Sequence, residues 1–310
     1  HTVQEALNKI RKLGRTIENI NFIYIIDDAD KLIDDINLKE LLIAAPDTKL
    51  NDLIDRKYLA LHVNDDQETA ASVFRKSNRA VLPVIDDDDV LLGIVTVDDI
   101  LRVESEEATE DIHKIGGTEA LDEPYMSTAL FELIKKRAGW LVILFFGEML
   151  TATAMGFFQD EISKAVVLAL FIPLIISSGG NSGSQASTLI IRAMALDEIT
   201  FKDWWRVMRR EILSGLALGG ILGIIGFLRI AIWSMFTPIY GEHWFLVGLT
   251  VAFSLVGVVL WGTLSGSMLP IVLKRLGADP ATSSAPFVAT LVDVTGLIIY
   301  FVVASLFLHG

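Results

Sequence analysis

The second half of the chain is dominated by five long apolar stretches. A helix needs about 20 mostly apolar residues to cross the hydrocarbon core of a bilayer. The pattern predicts an α-helical membrane domain over residues 138–310, with five transmembrane helices in the lipid bilayer. Pro173 and Pro270 lie inside these stretches and are expected to kink helices rather than end them. The predicted spans are Ala138–Phe158, Ile162–Ile191, Ile212–Phe236, Trp244–Leu273 and Ala281–Leu308.

The first half of the chain contains an internal repeat with an offset of 59 residues. YIIDDADKLIDDINLKELL at Tyr24–Leu42 aligns without gaps with PVIDDDDVLLGIVTVDDIL at Pro83–Leu101. Each copy reads as strand, acidic turn, strand and helix start, and a helix-like segment precedes each one. A unit this small cannot bury its own faces. The repeat therefore predicts a packed α/β pair, with the first copy over residues 1–60 and the second over 61–107.

Charge divides the chain in the same way. Residues 1–137 contain 17 Lys and Arg against 29 Asp and Glu, and residues 138–310 contain 9 against 10. The first half is therefore acidic, which disfavours nucleic acid as a partner and favours divalent cations. The absence of cysteine excludes disulfides and thiolate metal sites.

Basic residues near the span ends predict the orientation in the membrane. They cluster before span one, between spans two and three and after span four, whereas the other side has only Lys164 and Arg229. Positive residues mark the cytoplasmic side. We therefore expect a multi-pass protein of the plasma (inner) membrane, with the acidic domain in the cytoplasm and the C-terminus outside.

Asp293 is the single Asp, Glu, Lys, Arg or His residue between Ala281 and Leu308. A charged side chain at the bilayer centre costs about 2.5–3.5 kcal/mol even on lenient scales, so such a residue usually faces a polar cavity or a partner. Ala289 and Gly296 share its helix face at helical spacing. Small neighbours leave room for a large ligand, and Mg²⁺ usually keeps several of its waters. Because one carboxylate makes a thin site, a homodimer with a second Asp293 across a two-fold axis is expected.

Span two contains the polar patch GGNSGSQ, Gly179–Gln185. Polar, glycine-rich segments at membrane depth are tolerated where they are buried in protein or line a wet cavity. We interpret Gly180, Asn181 and Gln185 as pore-lining residues. Plain helix packing is the alternative for most other glycines of the spans.

A dense group of acids follows the second repeat. Carboxylates held close together repel each other unless hard cations such as Mg²⁺ bridge them, so the group is a candidate regulatory metal site. The acidic junction over residues 108–137 ends in a predicted connecting helix, Ser127–Arg137, with Ser127 as a candidate cap. The candidate regulatory ligands are Asp98, Asp99, Glu104, Glu107, Glu110 and Asp111.

At this point the chain resembles a known family. GIVTVDDIL at Gly93–Leu101 is similar to the end of a CBS domain, so the repeat resembles a tandem CBS pair. GGNSGSQ in span two and VATLVDVTGLIIYF in span five resemble the MgtE family of magnesium channels and transporters, as does EEATEDIHKIGG at Glu106–Gly117. The resemblance extends over the whole chain. Family members also carry a helical acidic domain before the CBS pair, which these 310 residues do not contain.

The resemblance implies a role for several residues. Asp293 would hold hydrated Mg²⁺ in the pore of a homodimer, with the Ala289 carbonyl and Asn181 beside it. Asp279 would be an accessory acid at the cytoplasmic mouth, and the acids from Asp98 to Asp111 would sense Mg²⁺ and close the pore. Mn²⁺ or Co²⁺ could substitute for Mg²⁺, since both accept oxygen ligands. ATP at the CBS pair is a further candidate ligand, although no phosphate-binding loop is present.

Three other functions remain as alternatives. A cation-coupled secondary transporter of divalent metal would use Glu148 in span one, whereas the plain interpretation of Glu148 is a partner for a polar group on another span. A carrier of organic cations would need aromatic side chains around Asp293, which its helix face lacks. An intramembrane enzyme would need a metal-ligand pair such as H-E-x-x-H, and none of the five histidines pairs in that way.

Overall fold

The computed structural model describes residues 1–13, 20–159, 162 and 166–308. The chain forms two compact units, His1–Thr109 and Glu110–Gly310. Each unit is described by itself below.

The first unit is an α/β domain built from two similar halves. Strands β1 and β2 form an antiparallel pair, and β3, β4 and β5 form a second sheet in which β3 is parallel to β4 and β5 is antiparallel to it. The elements are α1 (Val3–Leu13), β1 (Phe22–Ile26), β2 (Leu32–Asn37), α2 (Leu38–Ile43), β3 (Leu61–His62), α3 (Gln67–Ser77), β4 (Val81–Ile85), β5 (Leu91–Thr96) and α4 (Val97–Ile115), whose residues from Glu110 onward belong to the second unit.

The strand pairing confirms the predicted repeat. β1–β2 shifts register between Ile25 and Ile26, and β4–β5 shifts register between Val84 and Ile85, which are the positions 59 residues further on. Each half has its own buried core, because one face of each hairpin is apolar. Ile36 and Leu41 are buried in the first half, and Leu82 and Phe74 in the second.

The second unit contains the five predicted spans. Five helices in the described part of the chain are long and apolar enough to cross a membrane. They are α5 (Leu130–Phe157), α6 (Ile172–Ala195, which follows a 3₁₀ segment, Val166–Phe171), α7 (Trp204–Ser234), α8 (Trp244–Arg275) and α9 (Ala285–Leu308).

Three local expectations differ from the structure. The connecting helix begins at Leu130 and not at Ser127, and it continues without a break into the first span. Ser127 does not cap it, because the N-cap position is Ala129 and no side chain accepts a hydrogen bond there. Pro173 lies in the first turn of α6, where its missing N–H costs nothing, so it marks a helix start and not a kink. Pro270 does lie inside α8.

Helix α8 packs against α6, α7 and α9 through glycines. A Cβ at Gly219 of α7 would lie 2.8 Å from the Val256 Cα of α8, and a Cβ at Gly183 of α6 would lie 3.0 Å from the Gly262 carbonyl oxygen. Without a hydrophobic driving force between helices in lipid, such close backbone contacts supply much of the packing energy. They fix α6 against α8 and so position the face of α6 that meets α9.

Helix α5 is the exception in this bundle. Thr151 is its single buried residue. The helix contacts α9, where a Cβ at Gly147 would lie 2.9 Å from the Thr290 methyl group. Most of the α5 surface is therefore available to lipid or to another chain.

Candidate ion path

Gly180 of α6 faces Ala289 and Asp293 of α9. A Cβ added at Gly180 would lie 3.5 Å from the Ala289 Cβ and 3.6 Å from Oδ1 of Asp293. The absence of a side chain at Gly180 therefore leaves space beside the carboxylate. Three of the residues singled out from the sequence thus come together at one point between two spans.

Gly296 does not share that contact. A Cβ at Gly296 would lie 2.9 Å from a methyl group of Val258, and Gly296 is buried. Although Gly296 is at helical spacing from Ala289 and Asp293, the position packs α9 against α8. Its small size serves helix packing there.

Asn181 and Gln185 belong to a polar stripe on α6. Ser177, Asn181, Gln185 and Thr188 follow one another at helical spacing, and all four are exposed. The Asn181 amide donates to Ser177 Oγ at 3.4 Å. Polar side chains that face hydrocarbon are unfavourable, so a stripe of this kind indicates a wet cavity or a protein partner.

The polar stripe borders the contact with α9. Ser184 lies on the side of α6 between the stripe and Gly180, and its hydroxyl donates to the Ala285 carbonyl at 3.1 Å. Further along, Ser187 donates to the Ser283 carbonyl at 2.8 Å. These two bonds hold α6 to the start of α9 and fix the stripe relative to Asp293.

Glu148 is the site residue whose position could not be inferred from the sequence. It is exposed on α5, and its carboxylate lies within electrostatic reach of Asp293, which is half-buried. The close approach of Gly147 to Thr290 brings this turn of α5 onto α9. The two carboxylates, which the sequence assigns to different candidate functions, therefore interact electrostatically in the structure.

Asp279 lies in the loop before α9 and has two partners. Its Oδ1 accepts from the Ala281 N–H at 2.8 Å and so caps a short 3₁₀ turn. Its Oδ2 accepts from the Lys114 ammonium at 2.5 Å, and the same ammonium lies 2.6 Å from the Glu110 carboxylate. Lys114 had not been identified from the sequence, because nothing local links it to a residue 165 positions away.

Five of the six candidate regulatory acids of α4 have partners of their own. Thr96 donates to the Asp99 carboxylate through its N–H and its hydroxyl, which lowers the pKa of Asp99. Glu104 lies 3.6 Å from Arg75, and Glu107 accepts from Gln67, both on α3. Glu110 pairs with Lys114, Asp98 is exposed, and Asp111 is half-buried with an interaction of its own.

These acids do not form one metal cluster within a single chain. From Asp98 to Asp111 the helix rises about 20 Å, which separates the two ends of the group. Among the residues that the structure describes, no three Asp, Glu or His side chains come close enough together to hold a metal ion. The local density of acids in the sequence therefore reflects several faces of one helix.

A cleft of about 790 Å³ lies in the first unit, between β1, α2 and the segment before β4. The Arg79 guanidinium stacks on the Phe22 ring, 4.5 Å from its centroid, and forms an ion pair with Asp35. Tyr24 lies next to this pair, and its pKa is raised to about 12, mainly by burial and to a smaller extent by the negative charge of Asp35. The volume is in the range of small-molecule sites.

Comparison with known proteins gives two family matches. Residues 172–303 match the MgtE model, described as a divalent cation transporter, and residues 50–106 match the CBS domain model. The second match falls on the second repeat and the segment before it.

Sequence similarity to curated relatives covers nearly the whole chain. The magnesium transporter MgtE of Thermus thermophilus is 38% identical over 309 residues, which is 100% of this chain and 67% of that protein. The Enterococcus faecalis magnesium transporter MgtE is 32% identical, over 99% of this chain and 66% of that protein. The chain thus spans about two thirds of the length of the curated relatives it matches.

Among solved structures, the chain is similar to the cytosolic domain of the Mg²⁺ channel MgtE in complex with ATP. The two sequences are 35% identical, the match covers 33% of this chain and 42% of that chain, and the TM-score is 0.32. The relatives are transporters and not enzymes. With a CBS domain, five helices in the described residues that are long and apolar enough to cross a membrane, and similarity to these relatives over the whole of its own length, the chain belongs to the MgtE family of divalent cation transporters.

Proposed function

We propose that this protein conducts Mg²⁺ across the membrane through a path lined by Asp293 of α9 and the polar stripe of α6. Mg²⁺ is a hard cation that prefers oxygen ligands and keeps much of its hydration shell. The carboxylate of Asp293 would hold the hydrated ion by charge. The Ala289 carbonyl and the amides of Asn181 and Gln185 would contact its waters.

One observation carries this proposal. The Asp293 carboxylate borders the space left by Gly180, next to a stripe of exposed, uncharged polar side chains on α6. A structural aspartate that only tied two helices together would be sealed by polar partners. An aqueous path explains both the carboxylate and the stripe at membrane depth.

A second copy of the chain would complete the path. The polar stripe and nearly the whole of α5 are exposed in a single chain. A two-fold axis beside these surfaces would cover them and bring a second Asp293 toward the same path. We therefore propose a homodimer with the pore at its interface, the first unit in the cytoplasm and the C-terminus outside.

We further propose that Mg²⁺ regulates its own path through the acidic cytoplasmic region. The domain division that follows is a CBS pair over residues 1–60 and 61–107, a junction over 108–137 and a pore domain over 138–310. The carboxylates of α4 differ in their partners, and the exposed Asp98 is the most accessible to a cation. An ion that binds the closed state more tightly than the open state is sufficient for such negative feedback.

A nucleotide such as ATP is a candidate second ligand of the first unit. The cleft beside Phe22 offers an aromatic ring for a base, and Arg79 offers a guanidinium. Because Arg79 already pairs with Asp35, a phosphate group would have to compete with that carboxylate.

A coupled secondary transporter is the second candidate function. The electrostatic interaction of Glu148 with Asp293 favours it, since two coupled carboxylates could share a proton that a bound metal ion displaces. Such a transporter would move Mg²⁺ only with a proton or Na⁺ gradient.

Mg²⁺ influx into liposomes tests the proposal and separates the two candidates. Protein is reconstituted into vesicles that contain a fluorescent Mg²⁺ indicator, with empty vesicles as the control. We expect influx driven by the Mg²⁺ gradient and the voltage alone. Influx that requires a proton or Na⁺ gradient would favour the coupled transporter, and no influx under any gradient would contradict both functions.

A further inference from the structure

The Lys114 ammonium lies between two carboxylates that come from different parts of the second unit. Glu110 is one helical turn earlier on α4, and Asp279 is in the loop before α9. The two nitrogen–oxygen distances, 2.6 and 2.5 Å, place the ammonium in direct contact with both carboxylates. The contact therefore joins the end of α4 directly to the loop that leads into the span of Asp293.

Lys114 is suited to hold this contact permanently. Its side chain is 30% exposed, and both of its partners are carboxylates that it contacts directly. The ammonium is also covalently part of the chain, so its presence at this position does not depend on the cation concentration of the solution.

The surroundings of Lys114 fix the junction in one position. Gly117 has φ +72°, a left-handed conformation that favours glycine, and a Cβ there would clash with the Trp140 ring and Pro286. The Trp140 indole N–H donates to Ser284 Oγ at 3.0 Å. The segment after α4 is thus packed between Trp140 of α5 and the start of α9.

A pair of carboxylates is also an arrangement that binds a divalent metal ion. Here that position is occupied by an amino group of the same chain. We propose that Lys114 is a tethered cation which latches the junction to the loop before α9 in place of a metal ion. This inference rests on the proposed function only in taking that loop as the mouth of the ion path.

The latch has a specific consequence. Closure at this point needs no Mg²⁺, so any regulation by Mg²⁺ acts through other carboxylates. Removal of the ammonium would leave Glu110 and Asp279 facing each other without a counter-charge. Their repulsion would open the contact, and a divalent cation could then close it.

Hydrogen exchange of the junction, residues 116–129, tests this inference in the full chain. It is measured by mass spectrometry in a chelator and in millimolar Mg²⁺. In the parent protein we expect equal protection in the two conditions. In Lys114→Gln we expect exchange about tenfold faster in the chelator, as the loss of hydrogen bonds to charged groups implies, with protection restored by Mg²⁺.

Three further variants give the controls. Lys114→Arg keeps the charge and should behave as the parent, and Lys135→Gln changes an exposed lysine of α5 and should have no effect. Adding Glu110→Gln and Asp279→Asn to Lys114→Gln should remove the response to Mg²⁺. Loss of protection in the parent by the chelator, or unchanged protection in Lys114→Gln, would overturn the latch. Neither result depends on Mg²⁺ transport.

Discussion

Asp30 and Asp89 hold equivalent positions in the two repeats and join them to each other. The Leu32 N–H donates to the Asp89 carbonyl and the Leu91 N–H donates to the Asp30 carbonyl, both at 2.9 Å. Both aspartates have a left-handed backbone conformation, with φ of 60° and 64°. This reciprocal pair connects the two hairpins of the first unit through their acidic turns.

The left-handed turns should tolerate glycine and reject β-branched residues. Asp89→Gly should leave the stability of the first unit nearly unchanged, because glycine adopts positive φ without strain. Asp89→Val should destabilise it by about 1–2 kcal/mol, the cost of a left-handed L-residue with a branched side chain. Thermal unfolding followed by circular dichroism measures the difference. Equal melting temperatures for the two variants would contradict the turn assignment.

Low pH should lower the stability of the first unit, because the carboxyl groups of Asp66 and Asp99 accept hydrogen bonds at the starts of two helices. Hydrogen bonds from Thr69 to Asp66 and from Thr96 to Asp99 lower the pKa of each carboxyl below its usual value. A depressed folded-state pKa contributes stability that is present above the unfolded value, about 3.9, and is lost as pH falls through the folded value. We therefore expect melting temperatures to fall below about pH 4, and to fall less in the variant Asp66→Asn with Asp99→Asn. The same pH dependence in parent and variant would contradict this account.

The repeat could be predicted from the sequence because its signals are local. Asp27 accepts from the N–H groups of Ala29 and Lys31, and Asp86 accepts from those of Asp88 and Val90. Short-range hydrogen bonds of this kind depend only on residues two to four positions away. The number of membrane spans could also be predicted from the sequence, since it depends only on the length and apolarity of each stretch.

Contacts distant in sequence could not be predicted. Glu104, Glu107 and Glu110 looked like one acidic cluster, but Arg75, Gln67 and Lys114 give each a separate partner. The proximity of Glu148 to Asp293 depends on how α5 packs against α9, which no local pattern encodes. The polar stripe of α6 was found only in part, because Ser177 and Thr188 join Asn181 and Gln185 only once the exposed face is known.

Glycine packing between α6 and α8 should be sensitive to a single methyl group. A Cβ at Gly266 would overlap the Gly183 carbonyl, whereas a Cβ at Gly220 meets no atom within 4 Å. Gly266→Ala should therefore destabilise the second unit by about 1–3 kcal/mol through overpacking. Gly220→Ala is the matched control and should be neutral. Thermal aggregation of the detergent-solubilised protein compares the two, and equal stability would argue against the close contact.

The polar stripe should be accessible to water. The chain has no cysteine, so each introduced thiol is the only one present. We expect Asn181→Cys and Gln185→Cys to react with a charged, water-soluble thiol reagent in intact membranes. Ile224→Cys, at an exposed apolar position in the middle of α7, should face lipid and react at least about tenfold more slowly, because the thiolate that reacts does not form in hydrocarbon. Equal reactivity of the three thiols would contradict an aqueous path along the stripe.

Mg²⁺ influx through variants of Asp293 tests the central claim most directly. In liposomes, Asp293→Ala should abolish influx while the protein stays folded, and Asp293→Asn should retain part of it, since an amide can still contact the waters of the ion. Glu242→Gln, an exposed acid outside the spans, is the control and should conduct as the parent does. Influx at the parental rate through folded Asp293→Ala would contradict an ion path at this carboxylate.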